Sequence, residues 1–318
     1  MTKGNTRSHC PVCAHEGHYA FTGQDLMFSC DRRYDYHACD GCGAVYQYPA
    51  PTAEDIKSFY PDDYNIYQPP GKIKLPPGLE RAWLKHYGGY TQLDTSLFSD
   101  LLAPLTRLFK ASRPLRYVAD GTLLDVGCGN GKYLLQMQQL GWSVKGVEFN
   151  EKAVGLCRSN ELDVFQGDLL QANFSSNCFD AITAHHLIEH LPNPVEVIAE
   201  MARILKPGGQ LLIRTPNTNS LARSWFRNNW FADEVPRHLV LFNPASLTRL
   251  AETSGLQVEH ITALPRGKLL LYSLDYIVGK KGRSLKKFKP ARWLAGLYYP
   301  LARISGRGDE IYALFIKP

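Results

Sequence analysis

Two groups of residues in this chain have the types and spacing to do chemistry. The first is a pair of C-x-x-C knuckles, Cys10-Pro-Val-Cys13 and Cys39-Asp-Gly-Cys42, with 25 residues between them. Each knuckle sets two thiols on one tight turn, and Gly43 just beyond the second allows the bend. Four thiolates suit a tetrahedral zinc ion and leave it no open position, so the expected role is structural. Cys30, His15, His18 and His37 lie close by in sequence as alternates for any one ligand. The second group is the loop Leu123-Leu-Asp-Val-Gly-Cys-Gly-Asn-Gly131. Its glycines, Gly127, Gly129 and Gly131, let backbone approach a ligand where a Cβ would collide. Lys132 stands where the dinucleotide fingerprint G-x-G-x-x-G needs its third glycine, so a nicotinamide cofactor fits poorly.

Acids and histidines follow the loop at regular intervals. Glu148 closes Ser143-Val-Lys-Gly-Val-Glu148, where a carboxylate can accept both hydroxyls of a ribose. Asp168, in Gln166-Gly-Asp168, is placed to accept from a donor such as an adenine amino group. Either acid alone would be an ordinary loop residue; the glycine loop gives the pair its meaning. His185 and His186 come at the end of an apolar stretch, and His186, Glu189 and His190 are spaced to share one helical face. They also spell H-x-x-E-H, a metalloprotease pattern that lacks its structural context here. Glu189 and His190 are expected to brace the cleft by hydrogen bonds. His238 lies in Val235-Pro-Arg-His238, after Trp225, Phe226, Trp230 and Phe231. Histidine exchanges a proton near neutral pH, so His186 and His238 are the candidate bases or substrate contacts.

These groups need a scaffold, and the pattern after Gly121 supplies one. Strands are expected at Leu123–Val126, Ser143–Val147, Leu162–Gln166, Ala181–Ala184, Gln210–Arg214, Gln257–Ile261 and Ile311–Ile316. Helices are expected at Lys132–Leu140, Lys152–Asn160 and Pro194–Ile204, and from Pro244, capped by Asn243, to Gly255. Alternation of this kind predicts an α/β fold, a mostly parallel sheet with helices on both faces that binds ligands at the carboxyl ends of its strands. The expected organisation is a zinc ribbon over 1–50, a Pro-rich linker and helical lead-in over 51–114, and the α/β domain over 115–318 with a basic insertion at about 265–308. Within the lead-in, Leu79–Tyr87 and Leu97–Ala111 are expected to be helical.

Five ordered segments carry a family resemblance: LLDVGCGNG (123–131), VEF (147–149), QGD (166–168), FDAITAHHLIEHLPNP (179–194) and ILKPGGQLLIRTPN (204–217). From Leu123 to about Leu256 the chain resembles the class I S-adenosylmethionine-dependent methyltransferases. The resemblance implies a Rossmann-like seven-stranded sheet whose last strand, Ile311–Ile316, inserts antiparallel. It implies that Asp125 and Gly127 neighbour the methionine part of the cofactor, that Glu148 holds the ribose and that Asp168 holds the adenine. Gly129, Gly131, Phe149, Leu169 and His185 complete the expected cofactor contacts. The N-terminal zinc ribbon is similar to that of bacterial sugar and natural-product methyltransferases, which implies O-methylation of a sugar, glycan or other small molecule. Relatives that methylate quinone-precursor hydroxyls carry a metal-binding acid near the position of His186. A C-methyltransferase of a deoxysugar and an RNA-binding methyltransferase are the alternatives.

Composition narrows the rest. A hydrophobic fraction of 44% and a charged fraction of 21% over 318 residues describe a globular chain. The polar start, Met1–Ser8, predicts a cytoplasmic protein, and the apolar stretch Leu269–Val278 is too short to span a bilayer. From Arg266 onward twelve Lys and Arg face three acids, within a net charge of +6 for the chain. That tail predicts either a solvated basic face or a peripheral contact with anionic lipid. Nucleic acid is not the expected partner, because the ribbon has about as many acids as bases and the stretch after the fourth strand lacks an Asn/Asp-Pro-Pro-aromatic pattern.

Overall fold

The computed structural model describes residues 8–28, 30–60, 68–278 and 289–318. Strands β1 (Ser8–His9), β2 (Glu16–Asp25), β3 (Cys30–Cys39) and β4 (Val45–Gln47) form an antiparallel meander. Three helices follow: α1 (Ala53–Ser58), α2 (Gly78–Gly88) and α3 (Leu97–Phe109). Helix α1 was not among the sequence expectations; a reciprocal cap between Thr52 and Asp55 starts it.

The α/β part runs β5 (Thr122–Val126), α4 (Lys132–Gln139), β6 (Ser143–Glu148), α5 (Glu151–Arg158), β7 (Val164–Gln166), β8 (Phe179–His185), α6 (Pro194–Ile204) and β9 (Leu205–Pro216). Next come α7 (Leu221–Phe226), β10 (Val240–Leu241), α8 (Pro244–Thr253), β11 (Gln257–Leu264), α9 (Gly267–Val278), α10 (Lys289–Ile304) and β12 (Glu310–Ile316). All seven expected strands join one sheet in the order β11-β12-β9-β8-β5-β6-β7. β12 is antiparallel to both neighbours, while β9, β8, β5, β6 and β7 run parallel. Leu162 stays outside β7. It follows Glu161, whose φ of 58° turns the chain, and it packs in the core instead.

Local chemistry explains the helices that border the site. Pro194 opens α6, and Ile198, Met201 and Ile204 make its buried face. The Asn243 side chain accepts from Ser246 N while the Ser246 hydroxyl accepts from Asn243 N, so α8 starts where the sequence places it.

The ribbon does not stand apart from this domain. β10 pairs antiparallel with β4, Val240 opposite Tyr46 and Leu241 opposite Val45, so a strand from late in the chain extends the N-terminal sheet. One continuous core holds Tyr36 and Tyr46 of the ribbon, Phe242 and Leu250 near α8, and Ile182 and Ile213 of the large sheet. On the sheet's other face, Trp83 and Tyr90 of the lead-in pack with Met137 of α4 and Leu140 just beyond it. In the basic segment, α10 brings Tyr298 and Ala302 against Phe226 and Trp230. Residues 279–288, with five of its cations, lie outside the described residues. Among the described residues no helix is long and apolar enough to cross a membrane.

Candidate functional site

The glycine loop connects β5 to α4 at the carboxyl edge of the sheet. Gly127, Gly129 and Gly131 all have positive φ, at 73°, 55° and 76°. A Cβ on Gly131 would stand 2.4 Å from Leu162 Cδ1 and 2.9 Å from Cys157 Sγ, so packing and backbone conformation both demand glycine there. Gly127 N and Cys128 N donate to Val147 O, which ties the loop to β6.

Glu148, at the end of β6, is buried, and its two oxygens accept from Gly129 N and Asn150 N, each at 2.8 Å. A carboxylate offers about four lone pairs, so two remain for the hydroxyls of a nucleoside. Phe149 stands beside it with 82% of its surface exposed. Past β7, Asp168 is exposed and accepts from Gln171 N, while Leu169 is buried. Asp125 is buried in β5, and burial raises its pKa to about 7 against the opposing bond from Thr183 Oγ1 at 2.6 Å; Glu148 adds to the rise. The cofactor positions expected from sequence therefore share one edge, at the ends of β5, β6, β7 and β8.

His185 ends β8. Its ring meets the Tyr133 ring edge-on at 4.5 Å, its buried Nε2 has no hydrogen-bond partner, and burial lowers its pKa to about 3. His186, with φ of 52°, turns the chain outward and keeps 49% of its side chain exposed. Its Nδ1 lies 3.4 Å from Glu189 Oε1 and its Nε2 3.3 Å from Glu310 Oε2. Burial would lower its pKa, but the two carboxylates outweigh that and raise it to about 10. Arg214 and Arg266 also hold Glu310, and together with His186 they keep its pKa well below the usual range despite burial. Nothing in the local sequence marked Glu310, Arg214 or Tyr133 for this site.

Glu189 and His190 sit in a 3-10 turn, Ile188–His190. Glu189 faces His186, whereas His190 turns toward Tyr60 and the backbone of Arg237. His238 is buried, with 4% exposure, and its ring packs against His190 at 4.6 Å. The fold thus gathers His186 and His238 near Glu189, with His186 toward solvent and His238 in the interior. A cavity of about 590 Å³ opens next to His185, walled by Trp83, Tyr90, Tyr133, Arg214 and Tyr312.

In the N-terminal meander the four knuckle sulfurs converge. Cys10 Sγ is 3.7 Å from Cys42 Sγ, Cys13 Sγ is 3.4 Å from Cys39 Sγ, and all four lie within 4.8 Å of one another. Val12 N points at Cys10 Sγ, and Gly41 N and Cys42 N point at Cys39 Sγ, as donors to thiolates would. The histidine alternates have other engagements, His37 with Ser8, His18 with Asp40 and His15 with Cys13 O, and Cys30 is exposed outside the cluster.

Comparisons with known proteins identify a family. A family model described as a methyltransferase domain matches residues 94–261. The ubiquinone biosynthesis O-methyltransferase of Thiobacillus denitrificans is 31% identical over 175 residues, covering 50% of this chain and 74% of that protein. Its namesake from Dechloromonas aromatica is 29% identical over 176 residues, covering 51% and 75%. A solved S-adenosylmethionine-dependent methyltransferase from Archaeoglobus fulgidus superposes with a TM-score of 0.46 at 19% identity, covering 74% of this chain and 99% of that one.

Proposed function

The chain belongs to the methyltransferase domain family, and from that premise we propose that it methylates a hydroxyl on a ring-shaped small molecule. It is an S-adenosylmethionine-dependent methyltransferase. The cofactor supplies a sulfonium methyl with a neutral thioether as leaving group. The protein's share is to hold and orient two molecules and to manage one proton. Gly127 to Gly131 give the close backbone approach, the free lone pairs of Glu148 accept the ribose hydroxyls, Asp125 and His185 border the methionine end, and Asp168 with Phe149 and Leu169 borders the adenine.

The aromatic-walled cavity beside His185 carries the acceptor half of this reading. Its size suits a small organic ring, and Trp83, Tyr90, Tyr133 and Tyr312 line it. The two relatives described above are named for ubiquinone biosynthesis, which favours a hydroxylated aromatic ring over the sugar or glycan expected from the ribbon. His186, half exposed at the strand end, is the side chain we assign to the acceptor oxygen on position alone. At the N-terminus the four cysteine sulfurs would hold one zinc ion in a closed site that supports the fold.

A direct test offers the full-length protein and S-adenosylmethionine a dihydroxybenzoate and, in a parallel reaction, a nucleotide-linked sugar. Methylation of the dihydroxybenzoate, detected with stoichiometric S-adenosylhomocysteine, is the expected result. Turnover of the sugar alone would reverse the acceptor assignment. His186→Ala should lower turnover at least tenfold with cofactor affinity unchanged; unchanged turnover would remove His186 from the site.

A further inference from the structure

We infer that the outer face of α3 is the contact between two copies of this chain, paired about a two-fold axis at Leu101. The helix is built inside out. Among its described side chains, those turned to solvent are Leu97, Phe98, Leu101, Pro104 and Leu105, all of them apolar, with Leu97 at 90% and Leu101 at 76% exposure. Those fully inward are only Ala103 and Thr106. Its acid is engaged by its own chain: Asp100 accepts from Thr95 Oγ1 at 2.9 Å and lies 3.2 Å from His86 Nε2 of α2. Helices ordinarily turn the apolar stripe to the core, and a contiguous apolar face left in water marks an interaction surface.

The spacing of that face says what covers it. Leu97 and Leu105 lie four residues to either side of Leu101, and Phe98 and Pro104 lie three. Residues three and four apart share a helical face, so the stripe reads the same in both directions from its centre. Two antiparallel copies with Leu101 on the axis therefore set Leu97 against Leu105 of the partner subunit and Phe98 against Pro104 of the partner subunit, the self-complementarity that a two-fold interface requires. The exposed parts of the five side chains come to on the order of 600 Å² per copy, so the pair would bury roughly 1,200 Å², above the ~1,000 Å² expected of a specific interface. A bilayer surface is the competing occupant, and charge disfavours it. Helices that lie in a membrane surface are rich in Lys and Arg, whereas the 13 residues of α3 hold one Arg and one Asp. The same balance leaves two copies free of like-charge repulsion along the contact.

Pairing would brace one wall of the cavity beside His185. Helix α2 lends Glu80, Trp83 and Leu84 to that wall, and Lys110, at the end of α3, sets its Nζ 3.9 Å from the centroid of the Trp83 ring and 3.0 Å from Glu80 Oε1. A partner seated on α3 thus stiffens the helix pair that borders the cavity, whatever acceptor the cavity takes.

The test is analytical ultracentrifugation of the full-length protein from about 1 to 100 μM. A reversible dimer is expected. Leu101→Glu and Leu101→Lys each set like charges against one another on the axis and should weaken the dimer by about a hundredfold or more, while an equimolar mixture of the two variants should restore it. Leu101 faces solvent, so both variants should keep the wild-type melting temperature; if neither folds, Phe98→Ser takes their place and should also shift the protein to monomer. A wild type that stays monomeric over the whole range would overturn the inference. So would a dimer that the charge variants leave intact, or a mixture that stays monomeric. Monomeric wild type that floats with phosphatidylcholine vesicles would overturn it as well and assign the face to a bilayer.

Discussion

Asp25 at the end of β2 and Arg237 before β10 form a two-pronged ion pair in the interior, Nη1 to Oδ2 at 2.8 Å and Nη2 to Oδ1 at 3.1 Å. Both side chains are almost fully buried, and Glu234 also contacts the guanidinium. This contact joins the ribbon to the α/β domain by charge where β10 joins them by backbone. Removing Asp25 leaves the buried guanidinium with Glu234 as its remaining carboxylate, so Asp25→Ala should cost about 3 kcal/mol of stability, the low end for breaking a buried pair. Urea unfolding measures it, and a loss under about 1 kcal/mol would mean that water reaches Arg237.

Two glycines make opposite predictions. Gly131→Ala forces a Cβ into Leu162 and Cys157 at a φ of 76°, and should weaken S-adenosylmethionine binding at least tenfold by calorimetry. Gly155 is exposed within α5 with open space around its Cα, so Gly155→Ala should raise stability by about 0.5–1 kcal/mol. Normal cofactor affinity in the first variant would show that the loop relaxes freely.

The contrast between legible and hidden features follows from range. All seven strands of the large sheet and the starts of α6 and α8 were readable, because apolar patterning and capping act within a few residues. The strand-end acids were readable for the same reason: Glu148 closes β6 and Asp168 comes two residues after β7. β10 was not, since Val240-Leu241 sits in an unbroken apolar run and its partner is at the other end of the chain. Glu310 was missed likewise: a glutamate opening a strand looks like solvent-facing charge until the sheet sets it against His186 and Arg214. The expected helical face of His186, Glu189 and His190 gave way to a 3-10 turn, which sends His190 to the interior.

With zinc at the four cysteines, as proposed, its removal should be felt beyond the ribbon. Cys10 and Cys39 belong to the same core as Tyr36, Phe242 and Leu250, so loosening the knuckles exposes surface shared with α8. Treatment with a strong chelator should lower the melting temperature by about 5 °C or more and shift the transition as a whole. Hydrogen exchange would locate the change; protection lost in residues 8–50 alone would mean that the ribbon melts independently.

Asp125 supplies the pH prediction. Its pKa in the folded chain is about 7, far above that of an exposed aspartate, with burial as the main cause. The folded state therefore binds a proton that the unfolded state has released, and this residue's contribution to stability falls as pH rises from about 4 to 7. S-adenosylmethionine carries positive charge on its sulfonium and amino group, and a cation beside Asp125 favours the ionised form. Binding near pH 7 should then expel about half a proton, and at pH 9, where Asp125 is already ionised, nearly none. Calorimetric titrations in two buffers of different ionisation enthalpy read this number directly. Asp125→Asn should abolish the release, and a release that persists unchanged in that variant would assign it to another group.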